Sequence, residues 1–338
     1  MAPRSDAMDS SPAPAPTAFL HGCGLPAAWA GQPQWRILQT DFGGGQDFLA
    51  AWAAWRADPA RPTLLHFVAL QDAPLPADQR PRAAAAEPAL AHELQAQCWG
   101  LLPGVHRWAF DGGRVLLTLC LGEASALLRQ QDWTVDAVYL GGPGPWGSHF
   151  VKALARCCRR GTHLAAAATT PAAHAALAQG GFEMESETAP GSPLLRARFN
   201  PRWEPRAPRA NVAACARPAR CTVIGAGLAG AATAASLARR GWQVTVLDAG
   251  ATPASGASGL PVGVFAPHLS PDDNVYSRVS RSGVRAMLQQ SQALLQDGVD
   301  WHPGGVLERR PGDNPGLPSG WEAGPGADWS RPANAHTL

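Results

Sequence analysis

The sequence predicts an α/β protein made of two Rossmann-type units in tandem. Three observations carry this. Short apolar runs alternate with helical segments along most of the chain, the pattern of a mostly parallel sheet covered on both faces. The order strand, glycine turn, helix occurs twice, at 35–56 and again from 221. Between them, from about 190 to 220, periodicity vanishes and prolines recur, which marks a connector.

Residues 1–30 open with "MAPRSDAMDSSPAPAPTAF", an Ala/Pro/Ser-rich stretch read as a disordered tail. The first unit is expected over 31–195. "WRIL" is a strand, Gly43 to Gly45 the turn after it, and "QDFLAAWAAWR" an amphipathic helix with Trp52 and Trp55 on one face. The strands "TLLHFVAL", "VLLTLCL" and "VDAVYL" follow, with an Ala-rich helical region at 81–98, a helix at 148–159 and a short apolar "THLAAAA". Ligands of such sheets sit at the carboxyl ends of the strands, which directs attention to the residues after "WRIL", "LLHFVAL" and "VDAVYL".

The connector is placed at 196–220. Around it seven arginines face one acid, Glu204, so the stretch is either a solvated link or a basic strip that tracks a phosphate backbone. The second unit is expected over 221–338. Here the strand Cys221–Ile224 runs straight into Gly225-Ala-Gly227-Leu-Ala-Gly230, a helix to Arg240 follows, and the strand "QVTVL" ends in Asp248. Gly225 permits the tight turn, Gly227 lets a pyrophosphate approach the backbone, and Gly230 lets helix and strand pack closely. The helix N-terminus favours the diphosphate, and Asp248 is placed to accept from ribose hydroxyls, which disfavours a 2′-phosphate. Asp248 leaves NAD or FAD; Gly256, Ser258 and Gly259 form a second tight loop able to add amides and hydroxyls to a flavin cofactor's diphosphate, the segment on which FAD and NAD are to be told apart.

Bulk properties exclude several classes. Net charge is +2 with 46% apolar and 16% charged residues, a globular composition and not a polybasic one. Lys152 is the one lysine, so the basic side is arginine. The cysteines at 23, 98, 120, 157, 158, 215 and 221 form no CxxC pair, and no apolar leader or membrane-length run is present, so a reduced, cytoplasmic protein is expected. His66, His106, His149 and His268 lack metal-ligand spacing, and Glu123 is a lone carboxylate; no metal is expected, and the substrate-side catalytic residues are not assigned.

The run Gly256-Ala-Ser258-Gly259, Gly263, Pro267, Leu269-Ser270 and Asp273, with "RRGWQVTVLDAG" before it, resembles the FAD domain of the bifunctional tRNA 5-methylaminomethyl-2-thiouridine biosynthesis proteins. These belong to the wider amino-acid-oxidase-like flavoproteins. "FLAAWAAWR", "LLHFVALQDAPL", "HRWAFDGGRVLLTLCLGEASALL" and "VDAVYLGGPGPW" resemble the same family's methyltransferase domain. The resemblance implies a Rossmann-like methyltransferase-type domain followed by an FAD-binding Rossmann-type domain. It further implies oxidative removal of a carboxymethyl group from the wobble uridine of tRNA, then methylation of the exposed amine from S-adenosylmethionine.

The departures fall at the methyl-donor positions. Gly43 and Gly45 keep the turn, but Gln39 and Asp41 stand where the family has glutamate and glycine, Gln71 replaces a ribose-binding glutamate, and Gly141 replaces an aspartate beside the target amine. An acid there can orient an amine and take its proton, and glycine cannot. The expectation is therefore an FAD-linked oxidoreductase half with its fingerprint intact and an eroded methyltransferase half. Because "WSRPANAHTL" closes the chain with no second glycine-rich segment, the FAD domain is read as incomplete, truncated at its C-terminus. The alternatives are a generic FAD-dependent amine or amino-acid oxidase and a non-catalytic truncated product.

Overall fold

A computed structural model describes residue 15 and residues 17–333, apart from 73–86, 143–145, 168–169, 186–193, 205–217, 310–316 and 322. Its first half is an eight-stranded sheet in the order β3-β4-β2-β1-β5-β6-β8-β7. In chain order the elements are α1 (Ala18–Gly22), β1 (Gln34–Gln39), α2 (Gln46–Ala57), β2 (Leu64–Gln71), α3 (Pro88–Gln97), β3 (Gly104–Phe110), β4 (Val115–Leu121), α4 (Ala124–Arg129), β5 (Val135–Leu140), α5 (Ser148–Arg156), β6 (Cys158–Ala167), α6 (Pro171–Gln179), β7 (Phe182–Met184) and β8 (Leu194–Phe199). The central pairs β4-β2-β1-β5-β6 are parallel, whereas β3 and β8 join antiparallel.

Two apolar layers cover the sheet. On one face α1, α2 and α3 supply Phe19, Phe48, Trp52, Trp55 and Leu94 against Ile37, Phe67 and Tyr139. On the other, α4, α5 and α6 supply Leu128, Val151, Leu154 and Leu177 against Leu38, Val68 and Val138. Burying each such side chain contributes about 1.5–3 kcal/mol, so these faces hold the sheet flat side to helix. The helix after β1 and the helix after β5 thus lie on opposite faces of adjacent strands. That arrangement opens a crevice at the carboxyl ends of β1 and β5, the switch point of the sheet.

The second half contains β9 (Arg220–Ile224), α7 (Leu228–Arg239), β10 (Gln243–Leu247) and α8 (Val275–Leu294). Strands β9 and β10 pair in parallel, as one right-handed βαβ crossover requires. Ile224, Val246 and Leu247 on these strands are exposed, Ile224 at 88%, while Val223 and Val244 are half-buried. This half is tied to the first by α8, whose buried residues are Ser277, Arg281, Arg285 and Ser291, and by Asp328 and Trp329, which bond to the Gly100 amide and carbonyl.

Three sequence expectations need correction. Residues 18–30, expected as part of a disordered tail, are ordered: α1 and a turn of 3-10 helix at Ala27–Trp29 bury Phe19, Leu20, Cys23, Leu25 and Trp29, apolar content that the surrounding alanines and prolines mask. The connector does not begin at 196, because β8 continues to Phe199 with its arginines on Glu185 at the sheet edge. The helix expected to 159 ends at Arg156, and β6 begins at Cys158. The arginines at 206, 209 and 217 lie outside the described residues.

Candidate functional site

The first glycine turn caps the crevice. Gly43 and Gly45 both take left-handed conformations, with φ of 51° and 76°, which a side chain resists. A Cβ at Gly45 would also stand 3.0 Å from the Phe42 ring and 3.1 Å from Leu94, so that glycine is required twice over. The Gly43 amide donates to Gln71 Oε1 at 3.1 Å, bringing the β1 and β2 ends together. Below the turn Gln39, 2% exposed, donates to Asp47 at 2.6 Å. Burial, ahead of the lowering Gln39 bond and the raising charge of Asp41, pushes the Asp47 carboxyl up to about 7. Gln39 Oε1 and the Tyr139 hydroxyl are buried here without a hydrogen-bond partner.

Asp41 and the residues after β5 face each other. The Thr40 hydroxyl donates to the Gly141 carbonyl at 2.9 Å and accepts from the Gly141 amide at 3.1 Å, clamping the two strand ends. A Cβ at Gly142 would lie 3.1 Å from Asp41 Cβ and 3.3 Å from its Oδ2, whereas one at Gly141 would meet only ordinary contacts. The Asp41 carboxyl is raised above the usual range, chiefly by burial, against the Gly43 amide and with the help of Asp72. This crevice therefore carries a carboxylate at the mouth of the glycine turn and no side chain at Gly141.

The second glycine turn is tied together by its own polar groups. Gly225, with φ of 102°, donates to the Leu247 carbonyl at 2.7 Å. A Cβ at Gly230 would overlap the Gly225 carbonyl oxygen, so α7 packs on β9 only through a glycine. Asp248 accepts the Ala226 amide at 2.6 Å on one carboxylate oxygen and the Gly250 amide at 2.7 Å on the other. Those two amides hold its carboxyl below the usual range. The Oδ1 oxygen also accepts the Ser255 hydroxyl at 3.5 Å, and Oδ2 keeps a further lone pair, so the acid can still accept from a ribose. Ser258 accepts the first amide of α7, Leu228 N, at 3.1 Å, and a Cβ at Gly227 would stand 2.9 Å from its hydroxyl oxygen. Gly227, Ser258 and the start of α7 thus form one cradle. Gly259 packs so tightly on the Ala254 carbonyl that a Cβ has no room, while Gly256 faces open space.

The structure brings Gly225, Gly227, Gly230, Asp248, Ser258 and Gly259 into one cluster, and Gly43, Gly45 and Gln71 into another. Sequence reasoning missed the Asp47–Gln39 and Thr40–Gly141 pairs; a carboxylate in the first turn after a glycine loop is the signal that could have found the former. Glu123, a lone carboxylate in the sequence, caps α4 by accepting the Ser125 and Ala126 amides. Among the described residues no group of three or more His, Cys, Asp or Glu is close enough to hold a metal, and no helix is long and apolar enough to cross a membrane.

Two family models match the chain: FAD dependent oxidoreductase over residues 220–329, and S-adenosyl-L-methionine-dependent methyltransferase over 85–193. The chain is 54% identical over 338 residues to a tRNA 5-methylaminomethyl-2-thiouridine biosynthesis bifunctional protein of Polaromonas naphthalenivorans, covering 95% of this chain and 53% of that protein. It is 56% identical to the protein of the same name from Verminephrobacter eiseniae, covering 94% of this chain and 54% of the relative. A more distant relative of that name, from Thiobacillus denitrificans, is 42% identical over 88% of this chain and 49% of its own length. The chain therefore spans about half the length of the curated relatives it matches. Among solved structures it is similar to MNMC2 from Aquifex aeolicus at 16% identity and a TM-score of 0.45, over 56% of this chain and 60% of that one.

Proposed function

The chain is a homologue, across about half their length, of the tRNA 5-methylaminomethyl-2-thiouridine biosynthesis bifunctional proteins, and from that premise we propose that it takes part in wobble-uridine modification of tRNA. The reaction proposed is FAD-dependent removal of the carboxymethyl group from 5-carboxymethylaminomethyl-2-thiouridine. The observation that carries this reading is the closed second turn, with Asp248 spanning Ala226 and Gly250 and Ser258 on the α7 amide.

The residues fit the adenosine and diphosphate end of FAD. Asp248 would take the ribose hydroxyls, the Gly225–Gly230 turn and Ser258 the diphosphate, and Gly259 the backbone approach on its far side. The cofactor, when bound, would supply the acceptor for the hydride that leaves the carbon beside the amine nitrogen as the C–N bond is oxidised. The chain's part is to hold that acceptor's anionic end against the positive end of α7.

A second reading concerns the first crevice, supported by the methyltransferase match. S-adenosylmethionine would rest on Gly43 and Gly45 with its ribose toward Gln71. Gln71 already receives the Gly43 amide, and a neutral amide is a weaker acceptor than a carboxylate. Asp41 sets a negative charge where a carboxylated donor must enter. Both features support a weakened methyl-donor site.

The test is flavin titration of the purified chain followed by nucleoside mass spectrometry of treated tRNA. Quenching of flavin fluorescence that Asp248→Ala abolishes, with loss of carboxymethyl from the tRNA, is the expected result. A chain that never takes up FAD ends the oxidoreductase reading, and turnover of a free amino acid in place of tRNA would favour the generic oxidase.

A further inference from the structure

A second basic feature lies at the opposite end of the first sheet from the crevice, where the strands begin. Arg36 on β1 and His66 on β2 are register partners, and His66 in turn pairs Leu116 on β4. Arg107 on β3 pairs Thr118, two residues further along β4 than Leu116, and donates to its hydroxyl at 3.1 Å. Directly paired residues and those two apart share a face, so Arg36, His66 and Arg107 rise from the same side of the sheet. That side is the one carrying Leu38 and Val68.

The C-terminal end of α7 closes over this corner. A Cβ at Gly113, just before β4, would stand 3.2 Å from Arg239 Cδ, and Arg239 is fastened to Gln290 of α8 at 3.0 Å. The next residue, Arg240, is turned back on Ser236. Its charge reaches His66, which burial first and then Arg36, Arg107 and Arg240 push down to about 4. Arg240 itself is lowered by burial and by Arg107 and Arg239.

Like charges gathered in a half-buried corner repel unless an anion compensates them. Among the described residues no carboxylate stands within 4 Å of the guanidinium of Arg36, Arg107, Arg239 or Arg240. The Asp136 carboxylate pairs with Arg159 and accepts the Arg36 backbone amide; its charge also supports the Arg36 guanidinium, which donates to the Thr134 carbonyl at 2.8 Å, so Arg107, Arg239 and Arg240 are the cations left without an acid. The buried His66 Nε2 has no hydrogen-bond partner. Arginine forks suit phosphate oxygens better than any other cation does, and the neutral ring can donate one further N–H.

We propose that Arg107 and Arg240, with Arg36 and His66 behind them, seat a backbone phosphate of the RNA substrate at the seam between the two halves. The proposal rests on the tRNA reading above and adds to it a docking point contributed by both halves, away from either glycine turn. A phosphate there ties the RNA to β3 and to α7 together, so one RNA molecule bridges the methyltransferase-type fold and the flavin-type fold. Overall charge is too small to hold RNA by composition, which makes a local cluster the feature that matters.

The experiment is filter binding of an unmodified tRNA transcript across a salt series, with the whole chain, Arg107→Gln, Arg240→Gln and the double variant. Arg56→Gln is the control, an exposed arginine already paired to Asp111. Each of the two seat variants is expected to weaken binding roughly three- to tenfold near 0.1 M salt and to lower the salt slope by about one. The control should change neither. Should Arg107→Gln misfold in a thermal melt, Arg240→Gln at the helix end carries the test alone. Equal affinity and slope in wild type and seat variants overturns the seat and leaves the tRNA reading standing. No binding by the wild type overturns both. Inorganic phosphate at constant ionic strength separates the anion sources: variants that lose phosphate binding but keep full tRNA binding would overturn the RNA assignment.

Discussion

Gln39, at the end of β1, donates its side-chain amide to Asp47 at 2.6 Å, across the glycine turn and beneath it. The bond draws the first turn of α2 onto the strand that precedes it, and it places a carboxyl group under a loop that must stay rigid. Burial holds that carboxyl up at about 7, above its unfolded value of about 3.9.

The sign of the pH effect follows. A carboxyl whose folded pKa is raised favours the native state when protonated, so its contribution is complete below pH about 4 and is lost as pH rises through about 7. Asp47→Asn keeps an acceptor for Gln39 and removes the titration. The variant is expected to match wild type near pH 4.5 and to exceed it at pH 8 by roughly 1–3 kcal/mol. Urea denaturation at both pH values reads this directly; an equal difference at the two would mean that Asp47 is ionised throughout.

Gly230 and Gly256 are both glycines of the second turn region, but the structure separates them. A Cβ at position 230 collides with the Gly225 carbonyl, a backbone atom that cannot swing aside, whereas one at 256 meets nothing within 4 Å. Gly230→Ala is expected to spread α7 from β9 and to abolish flavin quenching. Gly256→Ala should leave the flavin Kd within about threefold, as expected for a surface change worth under about 0.5 kcal/mol. Equal loss in both would mean that the loop at 256 contacts the cofactor through its backbone at a range that excludes even a methyl group.

The seam between the halves turns on Arg285. Its guanidinium lies over Trp99, Trp108 and Trp329 at 4.5, 5.4 and 5.2 Å, and it donates to the Gln97 and Trp99 carbonyls at 2.8 and 2.7 Å. Arg285→Met keeps much of the packing and loses the charge and both hydrogen bonds, at a cost of about 2–4 kcal/mol. Tryptophan emission should shift to the red as Trp99 and Trp329 gain water, and protease should release 220–333 from the first half sooner. An unchanged spectrum would show that the indoles hold the seam without the cation.

How much of this was legible in the sequence varies with the kind of signal. Both glycine turns were, because Gly45 and Gly230 answer to local geometry that the residue order already states. Strands β1, β2, β4 and β5 were legible as apolar runs. The helix Ala18–Gly22 was not, since Phe19 and Leu20 sit among prolines and alanines and become core only when β6 and β8 pack beside them. Strand β3 likewise needs its antiparallel partner β4 to exist. Asp47, Arg107 and Arg240 carry meaning only through neighbours distant in sequence or through burial, which no local pattern encodes.

The first crevice, proposed above for the methyl donor, gives a final test, in which two substitutions act through different terms. Asp41→Gly removes a carboxylate facing the residues after β5, and Gln71→Glu supplies a charged acceptor while keeping an oxygen for the Gly43 amide. Wild type is expected to bind S-adenosylmethionine weakly by calorimetry, and the double variant about tenfold or more tightly, since each change is worth on the order of 1 kcal/mol at a partly exposed site. The two should also differ with pH. Burial raises the Asp41 carboxyl, so acidification neutralises it before an ordinary surface acid, and the repulsion on a carboxylated ligand fades as pH falls through its pKa. Wild-type affinity should therefore improve as pH is lowered, and Asp41→Gly should lose that trend. Tight, pH-independent binding by the wild type would instead show that Asp41 turns away from the donor, and that the glycine turn still works with the residues it has.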